Sequence, residues 1–265
     1  MTEAHSQDLS ILERPFMEFP PFGVDGDGEK IVDISGTIVK ANVEYLEEYV
    51  AQTKGREAGD RAVQDLCRLL KERLRDSAYH NITPEFLKNI WHSYSYEFVC
   101  YLREFCEQLS GDPQFHFNAG KVKHVTPTIA MLGRHIPMRL IYGRYPDFVK
   151  QYTKGVVDTE VGRMTGNSAV IRLKFTARAH RQFGPYWKRC AYMVCQAGRG
   201  ALITLPERIH RLPPAAVRDL TCMVNGDEWC EWEVTWMPED KGVSFHPFRE
   251  MIRYVARLLG KTHNA

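Results

Sequence analysis

The 265-residue sequence lacks most of the features that mark a specialised class of protein. It has no apolar run near the ~18–20 residues that a membrane-spanning helix needs. It has almost no excess charge, with 35 basic residues against 33 acidic ones. A balanced chain of this kind offers little general attraction to nucleic acid or anionic lipid, so neither is expected as a partner. Internal repeats and low-complexity tracts are absent, and 19 Gly and 14 Pro are ordinary numbers that exclude collagenous chains. No Gly-rich phosphate loop, nucleophile elbow or paired-carboxylate motif appears, so the sequence leaves catalysis open but favours a non-enzymatic role. The opening MTEAHSQDLSILERPF has neither a basic start nor a continuous apolar stretch. No secretory signal is read there, and a cytoplasmic location is expected.

What is present is a normal globular composition, 44% apolar and 26% charged, in a chain long enough for one large domain or two small ones. There are seven cysteines, Cys67, Cys100, Cys106, Cys190, Cys195, Cys222 and Cys230. An odd count without an export signal reads as reduced thiols, not as a disulfide framework. Cys67, Cys100 and Cys106 fall in helical, apolar-patterned sequence and read as core residues.

Residues 1–15 are polar and unpatterned, a tail. Val24-Asp-Gly-Asp-Gly is a turn leading into a strand from Lys30 to Ile34. It is not a calcium loop, because the sixth and twelfth positions are Lys30 and Gly36 where Gly and Glu are needed. Helical spacing then predicts three helices. The first has Leu46, Tyr49 and Val50 on one face, and the second has Ala62, Val63, Leu66, Cys67, Leu69, Leu70 and Leu74. The third opens with Thr83 as N-cap and Pro84 at its first position, and runs to Ser110 with an aromatic stripe through Trp91, Tyr94, Phe98 and Tyr101. Gln114 to Asn118 alternates like a strand. His116, His124 and His135 are irregularly spaced and read as surface or satisfied core groups, not as metal or haem ligands.

From residue 153 the pattern becomes that of strands. Val156–Glu160 and Ser168–Phe175 flank Thr165-Gly-Asn as a hairpin. Gly184-Pro185 opens a helix to about Ile203, with Trp187, Cys190, Val194 and Ala197 on its apolar face and Gly198 and Gly200 for close packing. A three-proline loop, Leu205–Pro214, precedes a second hairpin, Ala216–Val224 and Trp229–Met237, around Asn225-Gly-Asp-Glu. Cys230, Trp232, Val234 and Trp236 share one face of its second strand. Leu220, Cys222 and Val224 share a face of the first. A third thiolate, from Cys190 or Cys195 on the helix, would give these two hairpin thiols most of a tetrahedral site suited to zinc. Burial as small apolar side chains is the competing reading.

Residues 153–237 resemble the 4-vinyl-reductase-like ligand-binding domain of bacterial sensors, including phenol-responsive transcription activators. The matching features are the strand hairpin, the helix ending in Ala197-Gly-Arg-Gly, and the Cys-x7-Cys hairpin around a Gly-Asp turn. The resemblance implies an α+β fold of the type shared with nitric-oxide sensors and Golgi transport-particle subunits, a helical N-terminal half followed by an antiparallel sheet packed with helices. It also implies a structural zinc held by Cys190, Asp219, Cys222 and Cys230, with Asp where that family has Glu. The expected organisation is a tail (1–15), a mainly helical region (16–150), the ligand-binding core (151–240) and a C-terminal output helix (241–265). The expected function is a cytoplasmic sensory module for a small hydrophobic or aromatic ligand lined by Trp187, Val194, Trp232 and Trp236. It would form a homodimer and relay to an effector such as a kinase, a cyclase or a transcription activator. A ligand-free dimeric scaffold on the same fold is the alternative. The Pro247–Leu259 stripe, Phe248, Met251, Ile252, Val255, Leu258 and Leu259, would be the output element.

Overall fold

The computed structural model describes residues 17, 32–74, 81–122, 131 and 133–238. The tail, the Asp-Gly-Asp-Gly turn, His124 and the whole output helix lie outside these residues. The chain enters through β1 (Ile34–Ser35), whose Ser35 hydroxyl accepts from the Thr37 N–H at 3.3 Å and caps α1 (Gly36–Lys54). Gly55, at φ +93°, turns the chain directly into α2 (Arg56–Arg73), and the apolar faces expected for both helices are buried except for Tyr49 and Leu69, which are half-buried.

The third expected helix is two helices. α3 (Pro84–Leu87) is capped by Thr83 as expected, but β2 (Ser93–Tyr94) then pairs antiparallel with β1. Only after it does α4 (Tyr96–Ser110) start, capped by the Ser95 hydroxyl. Local polar groups make the break: the Asn89 carboxamide accepts from the Trp91 N–H at 3.0 Å, and the Tyr94 hydroxyl donates to the Phe86 carbonyl at 2.8 Å. Trp91 therefore leaves the stripe and is 87% exposed. The strand expected at Gln114–Asn118 is instead a helix, α5 (Phe115–Lys121). Gly111, at φ +69°, ends α4, and the Asp112 carboxylate accepts from the Gln114 N–H at 2.9 Å to open α5.

Two short helices follow, α6 (Met138–Gly143) and α7 (Tyr145–Tyr152), then the expected hairpin of β3 (Val157–Met164) and β4 (Ser168–Phe175). After α8 (Ala177–Phe183) comes α9 (Trp187–His210), which runs seven residues past its expected end and straight through Pro206. Proline cannot donate to the carbonyl four residues back. That carbonyl, on Leu202, instead accepts from the Tyr142 hydroxyl at 2.8 Å, so the helix continues with no orphaned acceptor there. β5 (Ala216–Thr221) and β6 (Cys230–Thr235) complete an antiparallel sheet of order β3-β4-β6-β5. The fold is α+β, as expected. Among the described residues no helix is long and apolar enough to cross a membrane.

α9 lies along α5 and against the β5–β6 hairpin. Its contact with α5 is backbone to backbone. A Cβ on Gly200 would stand 2.1 Å from the Phe117 carbonyl oxygen, and one on Gly120 would stand 2.2 Å from that of Ala197. Only glycine permits such a crossing.

Candidate functional site

The inner face of the sheet sets one side of the site. Registers Ala169↔Val234, Ile171↔Trp232 and Leu173↔Cys230 put three apolar pairs under α9, and all six residues are buried. The outer face carries ion pairs instead, Arg172 with Glu160 and Glu231, and Arg218 with Glu233.

The cysteines divide into two groups. Cys195 of α9 and Cys230 of β6 are joined in a disulfide, which corrects the expectation of seven thiols. The Cys222 sulfur lies 3.9 Å from that of Cys230. Cys190, on another face of α9, instead meets the helical half: its sulfur is 3.7 Å from that of Cys100 and 4.0 Å from that of Met17. Burial, reinforced by the Cys190 contact, pushes the Cys100 thiol well above its usual range. Asp219 turns to the surface and pairs with Arg199 at 3.2 Å.

The zinc expectation is corrected on this geometry. Of the four expected ligands only Cys222 and Cys230 come together, and the Cys230 sulfur is already in a covalent bond. Five residues along a helix amount to a turn of about 140°, so when Cys195 faces the hairpin Cys190 cannot. A bulge does interrupt β5 between Asp219 and Thr221, but it leaves Asp219 facing Arg199.

Trp232 and Trp236 are buried on the sheet side, Trp236 stacked on Tyr142 with centroids 4.7 Å apart. Val194 is half-buried, and Trp187, at the first residue of α9, packs on His180 at 4.8 Å. Beneath α9, Gly198 faces the Trp232 ring. A Cβ there would meet the ring edge at 3.5 Å and the Tyr145 hydroxyl at 4.0 Å, which is ordinary contact, so Gly198 has room for a methyl group where Gly200 has none. Tyr145 is buried, and burial pushes its ionisation well up. Sequence reasoning missed Tyr145, which sits in the least patterned part of the chain.

It also missed a buried charged cluster. α4 buries Arg103, Glu104 and Glu107 together with its aromatic residues, and α5 adds His116. Glu104 pairs with Arg189 of α9 and accepts from the Met17 N–H at 3.1 Å, yet burial still raises its carboxyl. A His116 ring nitrogen lies 3.6 Å from the Glu107 carboxylate, and burial holds the imidazole below its usual value against the pull of that carboxylate. The sequence signal was the carboxylate pair three apart, Glu104 and Glu107, inside an otherwise apolar helix.

No family model matches the sequence, and no curated protein matches it. The 4-vinyl-reductase-like resemblance therefore gains no support from either. Solved structures similar to this chain are H-NOX domains. One is an oxygen-binding H-NOX domain related to soluble guanylate cyclases, in its oxygen complex, with 12% identity, 80% of this chain and 100% of that chain covered, and a TM-score of 0.49. Another is an Fe(II) unliganded H-NOX mutant from K. algicida, with 12% identity, 78% and 98% covered, and a TM-score of 0.48. A third, from Shewanella oneidensis in the Fe(II)CO state, has 14% identity, 78% and 100% covered, and a TM-score of 0.41. The second and third of these are Fe(II) proteins, and another similar H-NOX structure concerns haem distortion. Haem does not fit the described residues around His116. Both of its ring nitrogens are sealed, one faces Glu107, and the ring is packed by Phe115 and Tyr192.

Proposed function

We propose that this chain is a sensory module of signal transduction that binds a small aromatic molecule between α9 and β6. The observation that carries this reading is the meeting of the buried Trp232 ring, the Tyr145 hydroxyl and Gly198, a position of α9 with no side chain, at one place between α9 and β6. Apolar walls with one polar anchor suit a ligand that is a ring bearing a hydroxyl. α9 would pass the signal on, because the same helix touches the ligand space, the sheet and, through Arg189 and Cys190, the helical half.

Calorimetry and thermal shift with phenol, alkylphenols and toluene test the reading. Phenol is expected to raise the melting temperature. Tyr145→Phe is expected to weaken phenol about fivefold, the worth of one neutral hydrogen bond, and to leave toluene unchanged. Gly198→Val is expected to abolish binding of both. If no member of the panel binds at millimolar concentration, or if Tyr145→Phe binds phenol unchanged, the reading is wrong.

A further inference from the structure

We propose that Cys195, Cys222 and Cys230 form a thiol–disulfide exchange site whose external reactant is a low-molecular-weight thiol, with Cys222 as the sulfur that meets it. The inference is independent of the aromatic-ligand reading and stands on the sulfur geometry of the second hairpin.

Three observations converge. The two bonded sulfurs belong to buried residues, Cys195 at 5% and Cys230 at 1% exposure, so an outside thiol has no path to either. Cys222 is half-buried, at the rim, and its sulfur stands 3.9 Å from that of Cys230, in van der Waals contact with the bond it would attack. The hairpin also holds Cys222 in place. Its N–H donates to the Asp227 carboxylate at 2.8 Å, its carbonyl accepts from the Asn225 N–H at 2.9 Å, and Gly226 takes the φ of +103° that closes the turn. The next residue, Met223, donates its N–H to the Cys230 sulfur at 3.4 Å, which places a donor beside a sulfur that must carry negative charge as a leaving group.

The internal step needs no oxidant. The Cys222 thiolate attacks the Cys230 sulfur, a Cys222–Cys230 bond forms, and the Cys195–Cys230 bond breaks. The electron pair leaves on Cys195, which takes up the proton that Cys222 gave away. The disulfide now sits within the hairpin, and α9 is no longer bonded to β6. An external thiol can then attack Cys222, forming a mixed disulfide and releasing Cys230 as thiolate. A second external thiol frees Cys222 and leaves as the oxidised dimer of the reagent. In total, one protein disulfide and two external thiols become two protein thiols and one external disulfide. A bond that can be moved and opened in this way is compatible with the reducing compartment that the sequence suggests, where lasting structural disulfides are rare.

The test uses the whole chain with glutathione as the probe. Samples are quenched in acid at intervals during reduction, alkylated, and digested with trypsin and a Glu-specific protease, whose cut after Glu228 separates Cys222 from Cys230. In the native chain the glutathione adduct is expected on Cys222; an adduct on Cys195 or Cys230 overturns the proposal. Cys222→Ser is expected to slow reduction of the Cys195–Cys230 bond at least tenfold, and an unchanged rate overturns it. Cys195→Ser held in oxidised glutathione is expected to form Cys222–Cys230; two thiols remaining at those positions overturns it. The adduct position is read without any substitution, so a variant that fails to fold does not spare the proposal.

Discussion

His116 and Glu104 are the residues whose ionisation is tied most closely to folding. Burial keeps the His116 imidazole neutral, so in the folded chain it takes its proton later than in the unfolded one. Below about pH 6.5 the unfolded state binds a proton that the folded state refuses, and stability falls as the pH drops until the folded imidazole also titrates. Glu104 acts in the opposite direction. Its raised carboxyl means that the unfolded state ionises first, so stability falls as pH rises past the ordinary carboxylate range. His116→Gln removes the first dependence and keeps the second. Urea titrations between pH 7.5 and 5 are expected to show a shallower acid-side fall for the variant, by up to about 1.4 kcal/mol per pH unit. Parallel curves would mean that His116 does not titrate out of step with the unfolded chain. The cluster was only partly legible in the sequence: Glu104 and Glu107 interrupt an apolar helix, but the spacing alone does not say that they are buried. The thiol pair was legible from the Cys-x7-Cys spacing around the turn, but the face of the first strand was not: β5 bulges and ends at Thr221, Met223–Asn225 form a 3-10 turn, and Leu220 is exposed. Choosing between Cys190 and Cys195 was not, because that depends on how α9 is rotated against two neighbours at once.

At the scale of elements, periodicity located α1, α2, β3, β4 and β6 because each buries one apolar face and leaves the other more exposed. It failed at Trp91 and at Gln114–Asn118, where side-chain hydrogen bonds from Asn89 and Asp112 direct the backbone locally and outweigh the apolar pattern. It also stopped α9 too early, because proline reads as a breaker. Pro206 is tolerated because another element supplies the missing donor. The pairing makes a double-mutant cycle informative. Tyr142→Phe keeps the stacking on Trp236 but leaves the Leu202 carbonyl without a partner, at an expected cost of about 1–3 kcal/mol. Pro206→Ala restores an N–H in the right place, so in that background the same Tyr142→Phe change is expected to cost little. A coupling of about 1 kcal/mol or more in chemical denaturation supports the account, and simple additivity of the two changes refutes it.

For the whole molecule, the sequence suggests a division near residue 150, and α9 bears on it directly. The helix belongs by sequence to the 151–240 segment, yet much of its surface belongs to the other side. Gly200 and Ala197 cross α5 with no side chain between them, Arg189 neutralises Glu104, Cys190 packs on Cys100, and the Leu202 carbonyl depends on Tyr142. Separating the halves would leave a buried carboxylate without its cation on one side. On the other it would expose an apolar helix face and an orphaned acceptor. Losing one partner of a buried ion pair alone costs about 3–5 kcal/mol, a large share of the roughly 5–15 kcal/mol that holds a typical domain together. A fragment of residues 151–240 is therefore expected to keep strand and helix signals in far-UV circular dichroism while binding a hydrophobic dye and unfolding without a cooperative transition. Mixing it with a fragment of residues 1–150 is expected to suppress dye binding and restore a sharp melt. A cooperative melt and dispersed amide resonances from 151–240 alone would show that the sheet and α9 form an independent core, and that the contacts with α4 and α5 are docking contacts and not part of one cooperative unit.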